Sequence, residues 1–534
     1  MRSILGQNLK KAASIAREAN ERNISVDQVI AERMEKAISR RDFLKGTALV
    51  AAAVAVPPTL WSMGASAAKA EAKTSQKIVV VGAGLAGLTC AYRLKTKGIE
   101  AEVYEAAKRV GGRCYTRRGD FADSQIAEHG GELIDTEHQD IRKLAKELGL
   151  TLDDLPAAEL SGTEEIYYID NAPYSLRDIA NDFQQILPII ERDAKDAGDY
   201  SYASSTARAQ ELDRMSVADW IRDNVPGGLK SRMGRLLRVA FTANSGAEIK
   251  EQSALILMET FGSYKPHGNV SFTGSSDERF HVRGGNDLIP TRMAEVLKGQ
   301  INTEHELIAI KKEKDGGYKL TFRTGETTKD VKADQVVLAL PFSILGSSVD
   351  FSQAGFSRLK SRVIRELGFG SCSKLNVQFT DRHWRTLGLN GSSYGDRGYA
   401  NVWEVSRNQS GQAGLMVSFT GGDIAKTFAN GDPQAHAQTL LKQLEPVFPG
   451  ITGKWNGKAT VDYWPSYKWT KGAYSYFGVG QYTKFYGAAA EPEENCYFAG
   501  EHTAEYYGFL NGAVESGERT AQQILQSQKV AKQA

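Results

Sequence analysis

The stretch KIVVVGAGLAGLTCAYRL, Lys77 to Leu94, decides how the chain is read. Ile78 to Val81 is a run of β-branched residues suited to a strand buried on both faces. The segment LAGLTCAYRLKTKG then carries helical spacing that stops at Gly98. Between them Gly82, Gly84 and Gly87 form GxGxxG. The first glycine permits a tight turn, the second lets the backbone approach a pyrophosphate, and the third lets helix and strand pack closely. The helix N-terminus then meets the phosphate charge. A second strand, in IEAEVYEA, ends at Glu105, 18 residues beyond Gly87, where a carboxylate accepts ribose hydroxyls. The segment RVGGRCYT follows. Its Gly111 and Gly112 make another glycine-rich turn, and Arg109 and Arg113 offer two guanidinium groups to a pyrophosphate. No second complete GxGxxG follows a strand elsewhere, so a separate nicotinamide-binding domain is not expected.

Glu105 followed by RxGGR resembles the flavin-containing amine oxidases, a family that includes monoamine, polyamine and L-amino-acid oxidases, and the resemblance implies FAD. It extends over nearly everything after residue 75. AEHGGELID (Ala127 to Asp135) is similar to the segment that enters the flavin site, with Gly130 and Gly131 allowing close backbone approach. ADQVVLALP (Ala333 to Pro341) is similar to the strand that completes the FAD domain. NCYFAGEHTAEYYGFLNGAVESGERTAQQIL (Asn495 to Leu525) brings Gly500 and Glu501 to the cofactor. Within it Gly512 and Ala513 stand at the start of a helix whose amides face the diphosphate or the pyrimidine carbonyl.

The same resemblance assigns the reacting end. WPSYKWTKGAYSYF (Trp464 to Phe477) matches the segment beside the flavin ring. It carries Ala473 where mammalian monoamine oxidases have a flavin-bonded cysteine, so the FAD is expected to be noncovalent. Tyr474 falls on one wall of the family's aromatic substrate cage and Phe509 on the other, where many monoamine oxidases have tyrosine. Lys374, in GFGSCSKLNVQF, matches the lysine that holds a water near flavin N5; read on its own it is an ordinary strand lysine facing solvent. The implied chemistry is oxidation of a primary amine or L-amino acid to an imine. The imine hydrolyses to an aldehyde or 2-oxo acid plus ammonia, and O2 is reduced to hydrogen peroxide. A flavin dehydrogenase or desaturase of the same fold, passing electrons to a quinone or protein acceptor, is the alternative. L-Amino-acid oxidases place an arginine where this chain has Leu133. Arg238 is one other candidate cation for a carboxylate, although a surface helix arginine is its simpler reading.

The expected architecture is α/β: a discontinuous Rossmann-like FAD-binding domain from residues 75–155, 275–345 and 460–530. An inserted α+β substrate-binding domain comes from 156–274 and 346–459. The helical part of that insert is read in LRDIANDFQQILPIIERDAKDAG and SVADWIRDNVP, and its strands in KLNVQF, GLMVSF and ATVDYW.

The 534 residues carry 66 Lys plus Arg against 64 Asp plus Glu, a balance that excludes a nucleic-acid footprint. The four cysteines show no CxxC spacing and the eight histidines no HExxH, so no metal site is expected. The first 70 residues differ from the rest, with a charge of +5 within an overall +2. In them SRRDFLKG (Ser39 to Gly46) precedes the apolar run TALVAAAVAVPP and resembles a twin-arginine export signal, with cleavage after Ala67 or Ala70. The apolar run is too short to span a bilayer. The implied partners are the twin-arginine export machinery, a small amine or amino acid, and O2, and the implied destination is periplasmic or secreted. A homodimer is one option for the assembly. Residues 1–38 read as a long, charged, helical leader with no role derivable from sequence.

Overall fold

The computed structural model describes residues 7–35, 76–262 and 276–533. The export signal and both expected cleavage points lie outside these residues. The helices used below are α1 (Gln7–Arg22), α2 (Leu85–Thr96), α3 (Leu176–Ala197), α4 (Arg232–Ser245) and α5 (Leu510–Gln533). The strands are, in chain order, β1 (Ile78–Val81), β2 (Ala101–Tyr104), β3 (Glu164–Ile169), β4 (Ala172–Pro173), β5 (Ile301–Asn302) and β6 (Gln335–Leu338). They continue with β7 (Cys372–Phe379), β8 (Leu389–Gly395), β9 (Ala400–Glu404), β10 (Gly414–Gly421), β11 (Trp455–Tyr463) and β12 (Cys496–Phe498).

Five of these strands form a wholly parallel sheet in the order β12–β6–β1–β2–β5. All four residues of β1 are buried. Ile78 and Val80 pack with α2 and α5 on one face, while Val79 and Val81 join the main core on the other. A parallel sheet covered on both faces demands such an uninterrupted β-branched run. The sheet also gathers strands from residues 78, 101, 301, 335 and 496, so the chain returns to it four times after leaving β1.

The second large sheet is mostly antiparallel, in the order β11–β7–β10–β9–β8–β3–β4. The three strands expected from KLNVQF, GLMVSF and ATVDYW are neighbours in it, as β7, β10 and β11. Every residue of β7 and β10 is buried, so in β7 the alternation of Lys374, Asn376 and Gln378 with Leu375, Val377 and Phe379 does not mark a solvent-facing side: its polar side chains are buried as well. The helix read in LRDIANDFQQILPIIERDAKDAG forms as α3, capped by Ser175 and carrying Pro188 inside it. Ser216 starts the next expected helix with a reciprocal capping box to Asp219.

One part of the chain behaves differently from its sequence reading. The leader, to which no role was assigned, is folded onto the body: α1 lies along α3 and shares the main core. Among the described residues no helix is long and apolar enough to cross a membrane.

Candidate active site

A cavity of about 1170 Å³ begins at the carboxyl end of β1 and ends among aromatic side chains. Open parallel sheets offer their binding crevice at this edge. At its start the chain leaves β1 through Gly82, whose φ of +104° suits glycine, and a Cβ there would lie 2.8 Å from the Ala339 carbonyl oxygen. Gly84 is the N-cap of α2 and supplies no side-chain cap. A Cβ on Gly84 would meet nothing within 4 Å, so the first-turn amides of α2 face open cavity. Gly87 does not line the cavity; a Cβ there would sit 2.0 Å from the Gly82 oxygen, so its part is packing α2 against the turn.

Glu105 borders the cavity at the end of β2. Its carboxylate accepts from the amides of Ala83 at 2.7 Å and Ala107 at 2.8 Å. Burial raises its pKa above the usual carboxylate value, and these amides with Arg109 offset the rise only in part. Arg109 is stacked over Tyr115 at 4.0 Å and donates to Gly112 O at 2.9 Å and to Tyr467 Oη at 3.2 Å. Arg113 donates to Ala473 O at 2.8 Å and pairs with Glu501 at 2.9 Å. Glu501 also accepts from Ser475 Oγ at 2.8 Å and from the Gly508 amide at 2.7 Å. Burial opposes its ionisation, yet the Arg113 charge and these donors hold the carboxyl down at about 2. Glu501 therefore braces Arg113 and the loop before α5. Gly111, Gly112, Gly130, Gly131, Gly500 and Ala513 all border the cavity as expected, whereas Gly512 stands behind it, with Tyr506 O where its Cβ would go.

These features fit a dinucleotide: an uncapped helix start with space before it, a carboxylate at the end of the second strand, and two fixed guanidinium groups. Glu105 is what FAD would use for its ribose, and the glycine-rich turns with Arg109 and Arg113 for its diphosphate.

At the far end the walls are Tyr474, Phe509, Phe419, Trp464 and Cys372. Tyr474 is fully buried, and its hydroxyl donates to Asn244 O at 2.8 Å. Phe509 packs edge-on against His138 at 4.9 Å. Ala473 adjoins the same space. Phe419 and Cys372 were not anticipated from sequence. They come from β10 and β7, and only the pairing of those strands, with Lys374 opposite Phe419, brings them together.

Lys374 is not a solvent-facing lysine. It is 0% exposed and lies behind the cavity wall. Its ammonium donates to Glu128 O at 3.1 Å, Gly130 O at 3.2 Å and Glu132 Oε2 at 2.5 Å. Glu132 also accepts from Trp403 Nε1 at 2.8 Å. Burial opposes its ionisation but Lys374 and Trp403 lower its pKa below the ordinary value. Three acceptors match the three protons of the ammonium, so Lys374 fixes the Gly130–Gly131 turn. Arg238 is exposed on α4 and does not border the cavity, which corrects its candidacy as a carboxylate ligand. Leu133 packs in the apolar cluster with Tyr474, Phe419 and Trp403. Among the described residues that line the cavity, the cations are Arg109 and Arg113. No cluster of metal-ligating side chains occurs among the described residues.

Residues 85–525 match the family model for flavin-containing amine oxidoreductases, and residues 37–57 match the twin-arginine signal model, which directs the chain to export. The chain is 26% identical over 475 residues to a flavin-dependent L-tryptophan oxidase of Lentzea aerocolonigenes, covering 83% of this chain and 96% of the relative. It is also 26% identical to an L-amino acid dehydrogenase of Synechocystis, covering 84% and 94%. The fold resembles a putrescine oxidase, with a TM-score of 0.72 at 22% identity over 84% of this chain and 99% of that one. It likewise resembles cyclohexylamine oxidase from Brevibacterium oxydans, with a TM-score of 0.73 at 19% identity over 85% and 100%. The chain belongs to the flavin-containing amine oxidoreductase family, and its cofactor is a flavin, FAD.

Proposed function

We propose that the protein oxidises the CH–NH2 group of a primary amine or L-amino acid in the aromatic end of the cavity, with noncovalent FAD held at the glycine-rich end. The observation that carries this reading is one continuous cavity with charged, backbone-lined walls at one end and Tyr474, Phe509, Phe419 and Trp464 at the other. Held by Glu105, Arg109, Arg113 and the glycine-rich turns, bound FAD would supply the two-electron acceptor for a hydride from the substrate α-carbon. The chain's own part is to place and desolvate the amine. Two aromatic walls align the substrate, and an apolar surrounding favours the neutral amine, whose lone pair assists loss of hydride. Tyr474 is oriented for this by its bond to Asn244 O. Ala473 has no side chain able to bond to a cofactor, which supports noncovalent attachment. The parallel β12–β6–β1–β2–β5 sheet supports the Rossmann-like reading of the cofactor domain, and β7, β10 and β11 support the inserted substrate domain.

Oxygen is the acceptor in the preferred reading. The dehydrogenase reading is favoured by two particular observations: the likeness to an L-amino acid dehydrogenase, and the full engagement of Lys374 with protein acceptors. Anaerobic mixing of the purified holoenzyme with L-amino acids, monoamines and diamines, followed by admission of air, separates these. Bleaching of the flavin absorbance by amines identifies the substrate class, and rapid recovery in air identifies an oxidase. Bleaching that persists in air and recovers with a quinone selects the dehydrogenase, and no bleaching by any amine overturns the proposal.

A further inference from the structure

The segment ahead of the export signal is built into the body of the protein. One stripe of α1, Leu9, Ala12, Ile15, Ala16 and Ala19, is almost wholly excluded from solvent, as are Val26 and Val29 in the helical residues 26–35 that follow. The spacing 9, 12, 16, 19 is that of one helix face. This face rests on α3, whose Ile179, Phe183, Ile186 and Ile190 belong to the same core. Small alanines at 12, 16 and 19 let the two helices approach closely.

Polar contacts fix the register. Leu9 N donates to Tyr167 Oη at 3.2 Å, Arg17 pairs with Glu191 at 2.7 Å and also donates to Phe261 O, and Asn20 donates to Gln184 O at 3.3 Å. Lys10 donates to Ser276 O at 3.0 Å, and its charge faces Asp135, Glu165, Asp277 and Glu278. Glu165 and Glu278 border a small polar cavity with Trp403, the tryptophan that holds Glu132. Loss of the segment would strip apolar cover from α3 and remove a cation from this carboxylate group, leaving Arg407 as the other cation acting on Glu278.

We propose that residues 7–35 remain seated on α3 in the exported enzyme, so that the twin-arginine signal operates between two parts of one folded body and its processing releases no free leader. If the chain is cut after Ala67 or Ala70, the N-terminal piece persists as a noncovalently held second chain. If it is left uncut, the enzyme keeps its signal. In both forms the occupant of the α3 groove is the same segment.

The test is mass spectrometry of holoenzyme recovered from the exported fraction through a C-terminal tag, first under native and then under denaturing conditions. Expected is a species holding residues 7–35 at one copy per body, either as one chain or as a peptide released only on denaturation. Ala16→Arg, which puts an unpaired charge into the interface, should lower the melting temperature by about 2–5 °C, since such a charge costs about 3–5 kcal/mol and a chain of this size unfolds with an entropy of about 1 kcal/mol/K. Arg40→Lys with Arg41→Lys should block export yet leave the melting temperature and the protease resistance of residues 7–35 unchanged. An exported, flavin-loaded enzyme that lacks residues 7–35 and melts where the full chain melts would overturn the proposal. So would an Ala16→Arg protein of unaltered stability.

Discussion

The two ends of the cavity are built by different means. The glycine-rich end is made of backbone: turns at Gly82–Gly84 and Gly111–Gly112, the start of α2, and side chains that serve mainly to hold those turns. The aromatic end is made of side chains delivered by remote strands and loops, with Cys372, Phe419, Tyr474 and Phe509 spread over 138 positions of sequence. A backbone site fails abruptly where an added atom would meet the main chain, as at Gly82 and Gly87. A side-chain site can exchange one wall for another and change what it accepts while the scaffold persists.

Substitutions at the two ends should therefore differ in kind as well as size. The largest effect is expected from Gly87→Val, since even a Cβ would fall 2.0 Å from the Gly82 oxygen. Soluble, flavin-loaded protein should be lost, and recovery of yellow, stable protein would break the contrast. Next comes Lys374→Met, which strands Glu132 without its partner and should cost about 3–5 kcal/mol of stability, while Lys374→Met with Glu132→Met should regain most of it. A chemical-denaturation series on the three proteins measures this. If the single variant is as stable as the parent but reoxidises slowly in air, Lys374 belongs to the reacting end and not to the turn.

A pH series sharpens the comparison at the cofactor end. His502 sits between Phe342 and Phe369 with neither ring nitrogen bonded among the described residues, and burial pulls its pKa down to about 3. A depressed folded-state value means that His502 contributes stability above its ordinary value near 6.5 and loses it as pH falls towards 3. Glu501, held at about 2, loses its contribution only below about 4.5. Melting temperature should thus start to fall below pH 6.5, by an amount worth up to roughly 5 kcal/mol from His502 alone. His138, also buried with its pKa lowered by burial, adds a fall of the same sign, so in His502→Leu the fall between pH 6.5 and 4.5 should become shallower, and an unchanged slope would show that other groups govern it.

The smallest effect is expected from Tyr474→Phe. It removes one hydroxyl and leaves Asn244 O without that donor, worth about 1 kcal/mol and at most a tenfold loss in kcat/KM. A loss of a thousandfold would mean that the hydroxyl touches the reacting atoms.

The same difference governs what could be read from the chain. The cofactor end was legible because a backbone turn has to be written as closely spaced glycines, and because Glu105 follows β1 and α2 at a spacing fixed by that unit. The parallel and antiparallel sheets were legible in outline for similar local reasons. Phe419 and Cys372 were not, since no local pattern marks a wall residue in strands buried throughout. Glu132 stood inside a quoted motif, but its partner Lys374 lies 242 positions away, and an ion pair at that separation leaves no signal in periodicity. Nor did the charge and helical spacing of residues 7–35 tell where they would lie, because an amphipathic face does not identify its partner.

The strand order β12–β6–β1–β2–β5 also sets a clock. The central strand β1 pairs with β6, and β6 with β12, while α5 packs on α2 beside the first glycine turn. The cofactor crevice therefore cannot close until residues past Phe498 have left the ribosome. At roughly 5–20 residues per second, translation from Arg41 to that point takes on the order of half a minute to a minute and a half. Residues 37–57, which match the export signal, are therefore synthesised long before the last strand of the sheet that travels with them.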